Sequence, residues 1–207
     1  AAGGALTTGA NNVIVGKNAA AANAMVGDHN TFVGGGAGYS ATDCDKNTAI
    51  GRDAGYGLTN GDQNVFIGNE AGKAVTTGEN NVIIGEGAGD AVTTGSYHVL
   101  IGRHAGGAFD TESNNLAIGQ DALGGGSVSG AEYNVCIGRV SGSALTSGDG
   151  NTAVGYNSLS GATTGGSLVG IGHNAGDNIT TGGNSIFIGD ATDASGATVG
   201  NEIVIGY

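Results

Sequence analysis

Residues 64–85 read NVFIGNEAGKAVTTGENNVIIG, and this stretch contains one complete unit of the chain together with the start of the next unit. The motif Asn-Val-x-Ile-Gly ends at Gly68 and ends again at Gly85, 17 residues later. An Ala-Gly pair and a Val-Thr-Thr-Gly segment lie between the two copies. β-Branched residues bounded by Gly, Asn and Thr are typical of short strands separated by turns. The stretch therefore predicts one strand in each 17-residue coil.

The same unit recurs along the whole chain. Successive motif glycines are 17 residues apart, except for spacings of 18 before Gly34 and 19 before Gly138. The glycines are Gly16, Gly34, Gly51, Gly68, Gly85, Gly102, Gly119, Gly138, Gly155, Gly172, Gly189 and Gly206. A unit this short and this rich in Gly excludes helical repeats, whose units exceed roughly 30 residues. We predict an all-β parallel β-solenoid of about twelve coils, with residues 1–207 forming a single repeat array.

Charge and cysteine content exclude several classes of partner. Six Lys and Arg residues against 18 Asp and Glu residues give a net charge of -12, which disfavours binding to nucleic acid or to an anionic membrane surface. The sequence has no apolar run near the roughly 20 residues that a membrane-spanning helix needs, so membrane insertion is not expected. Cys44 and Cys136 fall in coils about 24 Å apart at about 4.8 Å per coil, too far for a disulfide.

An Asn residue directly precedes most strands. Coils stacked at about 4.8 Å would bring these side chains together, so that their amides hydrogen-bond from coil to coil. We predict a ladder formed by Asn12, Asn30, Asn47, Asn64, Asn81, Asn115, Asn134 and Asn151. In four coils the position holds His98, Leu168, Ser185 or Glu202 instead.

Both faces of each predicted strand are apolar. Because alternate residues point to opposite faces, the first and third strand residues, such as Val82 and Ile84, are assigned to the core. The middle residues would then form a continuous apolar stripe on a monomer, and self-association into a parallel homotrimer would bury it. A second internal layer is the alternative. The predicted subunit interface consists of Ile14, Phe32, Phe66, Ile83, Leu100, Phe187 and Val204.

Three motifs carry a resemblance to known repeats: N-T-A-I-G at 47–51, N-V-I-I-G at 81–85 and N-T-A-V-G-Y-N-S-L at 151–159. They resemble the head repeats of trimeric autotransporter adhesins and the related repeats of phage tail fibres, over essentially the whole chain. The resemblance implies a homotrimeric β-roll, extracellular on a bacterial surface or a virion, with its strands nearest the trimer axis. The autotransporter repeat is shorter, and the added Thr-Thr-Gly turn is closer to tail fibres and large secreted surface proteins.

The sequence offers little for catalysis or for a cofactor. His29, His98, His104 and His173 occupy different coil positions, and no Ser, His and Asp constellation recurs. We therefore predict that the chain is not an enzyme. Asp28, Asp45, Asp62 and Glu79 form an acidic column in which Ca²⁺ could bridge neighbouring carboxylates. A solvated acidic turn is the alternative, and no other cofactor is expected.

The function predicted from these features is a structural fibre or adhesin segment, a rigid shaft or head within a longer fibre. Its partners would be copies of itself and a cell-surface receptor or glycan. The alternative is ice binding through the pairs Thr76/Thr77, Thr93/Thr94, Thr163/Thr164 and Thr180/Thr181. An ice-binding array is expected as Thr-x-Thr on every strand, whereas Thr-Thr-Gly is typical of a turn.

Overall fold

The chain folds as a parallel β-solenoid in the computed structural model, which describes residues 2–4, 7–125 and 130–206. Twelve three-residue strands form one sheet in sequence order, and successive strands recur at the predicted spacing. The strands are β1 (Val13–Val15), β2 (Thr31–Val33), β3 (Thr48–Ile50), β4 (Val65–Ile67), β5 (Val82–Ile84), β6 (Val99–Ile101), β7 (Leu116–Ile118), β8 (Val135–Ile137), β9 (Thr152–Val154), β10 (Val169–Ile171), β11 (Ile186–Ile188) and β12 (Ile203–Ile205). The predicted fold class is confirmed.

Neighbouring strands are parallel and in register, so each coil places its residues directly against the same positions of the next coil. Phe66 of β4 pairs with Ile83 of β5, for example. The main-chain hydrogen bonds run along the solenoid axis, as from Val65 N to the Asn81 carbonyl at 2.8 Å. No helix long and apolar enough to cross a membrane occurs in the part of the chain that the structure describes. The in-register stacking turns each coil position into a column of similar residues.

Three positions of most coils have a left-handed backbone. The first lies two residues before the strand, as at Gln63 (φ 59) and Asn80 (φ 57). The second lies three residues after the strand, as at Asp53 (φ 56) and Glu70 (φ 59), and the third lies two residues further on, as at Gly72 (φ 57). Asn and Asp tolerate this conformation better than most side chains, which accounts for their recurrence at the corners. These corners give the chain the turns it needs to close each coil on itself.

The interior of the solenoid is lined by the middle residues of the strands, and the predicted assignment of the two strand faces is therefore wrong. The large middle side chains of β2, β4, β5, β6 and β11 are fully buried within their own chain. Five of the predicted interface residues occupy the core: Phe32, Phe66, Ile83, Leu100 and Phe187. The other two, Ile14 and Val204, belong to the terminal strands, where they are partly buried and pack against the core. None of these seven side chains forms an outer surface for a partner chain.

The Asn position supplies the physical reason for this orientation. Asn64 and the middle residue Phe66 are two residues apart, so they share one face of the extended chain. The Asn64 amide donates to the Gly78 carbonyl at 2.8 Å, and both groups are buried. Because the amide finds its backbone partners only inside the coil, the middle residue points inward as well. The first and third strand residues are left on the outside.

Candidate functional site

The first and third residues of strands β1–β12 point away from the coil and form two parallel apolar columns, which we call the outer strand face. The third residue is Val or Ile in every strand, and the first is Val, Ile, Leu or Thr. These side chains are partly or largely exposed, with Val15 at 55%, Ile50 at 40% and Ile171 at 40%. The third-residue column is apolar without a break from β1 to β12, while the first-residue column holds Thr in β2, β3 and β9.

The dimensions of the outer strand face follow from the strand spacing. Twelve strands at about 4.8 Å give a length of about 53 Å, and three residues give a width of about 10 Å. The projected area is therefore on the order of 500 Å², within the range in which exposed apolar patches mark interaction sites. The sheet provides a flat and regular surface on which a second apolar face could pack.

Charged columns border the outer strand face on both sides. Four of the six cations of the chain, Lys17, Arg52, Arg103 and Arg139, lie two residues after a strand and form the basic edge, a column that also holds Glu86 and Asp190. The acidic edge consists of residues three positions before a strand: Asp28, Asp45, Asp62, Glu79, Glu132 and Asp149. The apolar columns therefore lie between an acidic edge and an edge of mixed charge whose net charge is positive.

The carboxylates of the acidic edge have a structural role of their own. The Asp28 N–H donates to Asp45 Oδ1 at 2.7 Å, and the Asp45 N–H donates to Asp62 Oδ1 at 2.7 Å. The Asp45 and Asp62 carboxylates thus each satisfy a backbone group of the preceding coil. Among the residues that the structure describes, no three His, Cys, Asp or Glu side chains are placed to hold a metal ion. The hypothesis of Ca²⁺ at Asp28, Asp45, Asp62 and Glu79 gains no geometric support.

The Asn ladder is confirmed, and where two Asn residues are neighbours in the column they repeat the same pair of contacts. Asn64 Oδ1 accepts hydrogen bonds from both the backbone N–H and the Nδ2 of Asn81, each at 3.0 Å. The predicted members Asn12, Asn30, Asn47, Asn64, Asn81, Asn115, Asn134 and Asn151 are all linked in this way to a neighbour in the column. The ladder satisfies buried backbone groups of successive coils.

His98 continues the ladder where Asn is absent. Its backbone N–H donates to Asn81 Oδ1 at 2.9 Å. Nε2 of its ring lies 2.7 Å from the carbonyl oxygen of Glu112. The Asn115 N–H donates to His98 Nδ1 at 3.3 Å. These partners require a proton on Nε2 and a lone pair on Nδ1, so the neutral ring reproduces both roles of the Asn amide. Burial lowers the pKa of His98, against the opposing effect of its bonds to Glu112 and Asn115.

This arrangement predicts a specific loss of stability in mild acid. A histidine whose folded pKa is lowered binds its proton better in the unfolded chain, so stability is lost as pH falls below its ordinary value of 6.5. We expect His98→Asn to lose less unfolding free energy than the native chain between pH 7.5 and pH 5, measured by urea denaturation. His29→Asn, which replaces a histidine at an exposed corner, should lose as much unfolding free energy over this range as the native chain. Equal pH dependence of His98→Asn and the native chain would contradict the assignment.

The Thr pairs do not form a flat hydroxyl array. The first Thr of each pair donates to the next coil, as from Thr76 Oγ1 to the Thr93 carbonyl at 3.1 Å and from Thr163 Oγ1 to the Thr180 carbonyl at 3.1 Å. The second Thr, such as Thr77, is exposed on a bend. Ice binding through these pairs stays a prediction, and the geometry assigns the first hydroxyl a structural role instead.

Cys44 and Cys136 are free thiols, and both are buried. Burial raises the pKa of each thiol to about 12, helped at Cys44 by the neighbouring Asp62 carboxylate. Thiolate is the reactive form of cysteine, so both side chains are inert at neutral pH. The prediction that no disulfide joins them is confirmed.

Comparison with protein-family models, curated proteins and solved structures finds no match for this chain. The case for a function therefore rests on the outer strand face and its charged edges. Sequence patterns identified a second apolar face but assigned it to the wrong residues. The position of Asn64 relative to Phe66 was the signal that could have assigned it correctly.

Proposed function

We propose that the chain is a structural segment of a homo-oligomeric fibre, in which parallel copies bury their outer strand faces around a common axis. The observation that carries this proposal is the unbroken column of Val and Ile third residues along all twelve strands, beside a column of first residues that is apolar in nine of them. A chain that exposes such a surface is stabilised when an equally long apolar surface covers it. A second copy in parallel offers that match coil by coil.

The charged edges favour parallel over antiparallel packing. When copies are related by rotation about an axis parallel to the solenoid, the basic edge of one copy lies beside the acidic edge of its neighbour. Both edges carry charge of opposite sign at the level of β8, through Arg139 and Glu132. Antiparallel copies packed face to face would place like edges together, which costs free energy.

The size of the face favours three copies. Its projected area of roughly 500 Å² is smaller than the about 800 Å² that each partner contributes to a standard interface. Three faces arranged as a triangular prism let every face contact two neighbours and bring unlike edges together at the corners. A trimer therefore adds edge-to-edge contacts with two neighbours to the burial of the faces, which a face-to-face dimer lacks.

Such a trimer would act as a rigid shaft or head for attachment at a virion or bacterial surface, with receptor or glycan recognition in its turns. Support comes from the hydrogen bonds that run along the solenoid axis, since they connect each coil to the next along the direction of the fibre. The resemblance of the strand motifs to adhesin heads and tail fibres points to the same role.

Sedimentation equilibrium tests the proposal directly. We expect the native chain to be a trimer and the double variant Ile84→Glu/Ile118→Glu to be a monomer with unchanged β-sheet circular dichroism. Both side chains lie on the outer strand face, where charge is tolerated by the fold but not by a buried interface. The matched control Thr77→Glu/Thr94→Glu adds the same charge at exposed bends and should stay trimeric.

A native chain that is monomeric with full β-content at micromolar concentration would overturn the proposal. Thermal hysteresis of that monomer would then test the ice-binding alternative. A trimer that persists in Ile84→Glu/Ile118→Glu would show that the subunits meet through some other surface.

A further inference from the structure

A cavity of about 320 Å³ lies beside the second coil, beyond the basic edge of the outer strand face. It is lined by side chains of three successive coils, which include Lys17, Tyr39, Arg52 and Tyr56. Its volume is near the lower end of the roughly 300–1,000 Å³ typical of small-molecule sites. That size suits one sugar ring or a molecule of similar dimensions rather than a protein segment.

The missing side chain at Gly35 opens the cavity. Gly35 occupies the column that holds Lys17 in the coil before and Arg52 in the coil after. At the adjacent Gly36, the Asp53 carboxylate already occupies the space that a Cβ would take. A Cβ added at Gly35 would have only the Lys17 carbonyl oxygen near it, at 3.8 Å. The backbone at Gly35 therefore does not require glycine, and the missing side chain leaves open space between two cations.

Two tyrosines form one wall of the cavity. The rings of Tyr39 and Tyr56 stack with their centroids 4.6 Å apart and their planes 9° apart. Because each ring fixes the other, the wall is rigid and combines apolar ring surface with two phenol hydroxyls. Such a wall suits a ligand that has both C–H groups and hydroxyl groups.

The charges that line the cavity favour a monoanion. Arg52 donates to Asp53 Oδ2 at 3.1 Å and to Glu70 Oε1 at 3.0 Å, so its guanidinium is held in place and largely neutralised. Lys17 makes no ion pair among the described residues and supplies the remaining positive charge. Glu70 also pairs with Lys73 at 3.4 Å. The three cations of this cluster therefore exceed its two carboxylates by one positive charge, which can attract one carboxylate even in a chain of net charge -12.

We propose that this cavity binds one carboxylated sugar unit of the uronate type. The Lys17 ammonium pairs with the carboxylate, and the ring hydroxyls bond to Asn18, Asp53 and the phenol hydroxyls. The stacked tyrosines pack against the C–H groups of the sugar. All of these residues belong to one chain, so the site does not depend on the proposed trimer.

A titration of the full chain with D-glucuronate, followed by ¹⁵N–¹H correlation spectra, tests the site. We expect saturable shifts at the Gly35 and Gly36 amides, with binding at least tenfold tighter than that of D-glucose or acetate. D-glucose lacks the carboxylate and acetate lacks the ring, so each control removes one part of the recognition. Absence of saturable shifts, or equal binding of either control, would overturn the proposal.

Two variants locate the binding within the cavity. Gly35→Asn places a side chain in the open space, as Asn69 does in the same column, and should weaken glucuronate binding at least tenfold. Lys17→Gln should remove the preference for glucuronate over glucose. Arg103→Gln, in the same column but away from the cavity, should bind like the native chain. Unchanged glucuronate binding by Gly35→Asn would refute the site. Sedimentation of the same variant should match that of the native chain, which would show that a loss of binding does not come from a change of oligomeric state.

Discussion

Replacing Gly85 with Ala should lower the unfolding free energy by at least about 4 kcal/mol or prevent folding, because backbone strain and overpacking act together. Gly85 has φ +139, a conformation that L-amino acids rarely adopt. An added Cβ would also collide with the carbonyl oxygen of Gly102 and lie 2.6 Å from its carbonyl carbon. The obstacle is backbone of the next coil, so no side chain can move aside to relieve it.

The matched control is Gly150→Ala, since Gly150 also has positive φ (+66) but open space around its Cα. The same corner holds Gln63 and Asn80 in other coils with nearly the same φ. We expect this variant to lose about 1–2 kcal/mol by urea denaturation, the cost of a left-handed Ala. A loss in Gly85→Ala as small as that in Gly150→Ala would show that the coils do not depend on glycine contact.

The repeat made most of the fold predictable from the sequence. In a solenoid with in-register coils, spacing in the sequence translates directly into position along the axis, so the recurrence of Gly68 and Gly85 locates two neighbouring strands. The Asn ladder follows from the same rule, since Asn64 and Asn81 must become neighbours once the register is known. These features depend on position in the repeat and need no knowledge of side-chain orientation.

The orientation of the strand was not predictable from hydrophobicity, because both of its faces are apolar. Only the hydrogen-bonding requirement of the Asn amide distinguishes them, and it places Asn64 and Phe66 together inside the coil. The cavity at Gly35 was not predictable from the sequence for a different reason. It arises from side chains that are missing, and it becomes visible only when Lys17, Gly35 and Arg52 are aligned as one column.

Replacing Asn64 with Ala should lower the unfolding free energy by about 4 kcal/mol, since each buried group left unpaired costs about 1–3 kcal/mol. Asn64 is fully buried. Without its amide, the Asn81 N–H loses its acceptor and the Gly78 carbonyl loses its side-chain donor. Water cannot easily replace these contacts, because the ladder is enclosed by the coil. Chemical denaturation of the variant and the native chain measures the loss.

Two controls separate the ladder from a general effect of removing an amide. Asn60→Ala deletes an exposed amide on a bend and should change stability by no more than about 0.5 kcal/mol. Asn64→His should recover part of the loss above pH 7, where the ring is neutral and can donate and accept as His98 does. Because Asn64→His recreates the chemistry of His98, its recovery should fade toward pH 5. An Asn64→Ala chain as stable as Asn60→Ala would mean that backbone stacking alone holds the coils together.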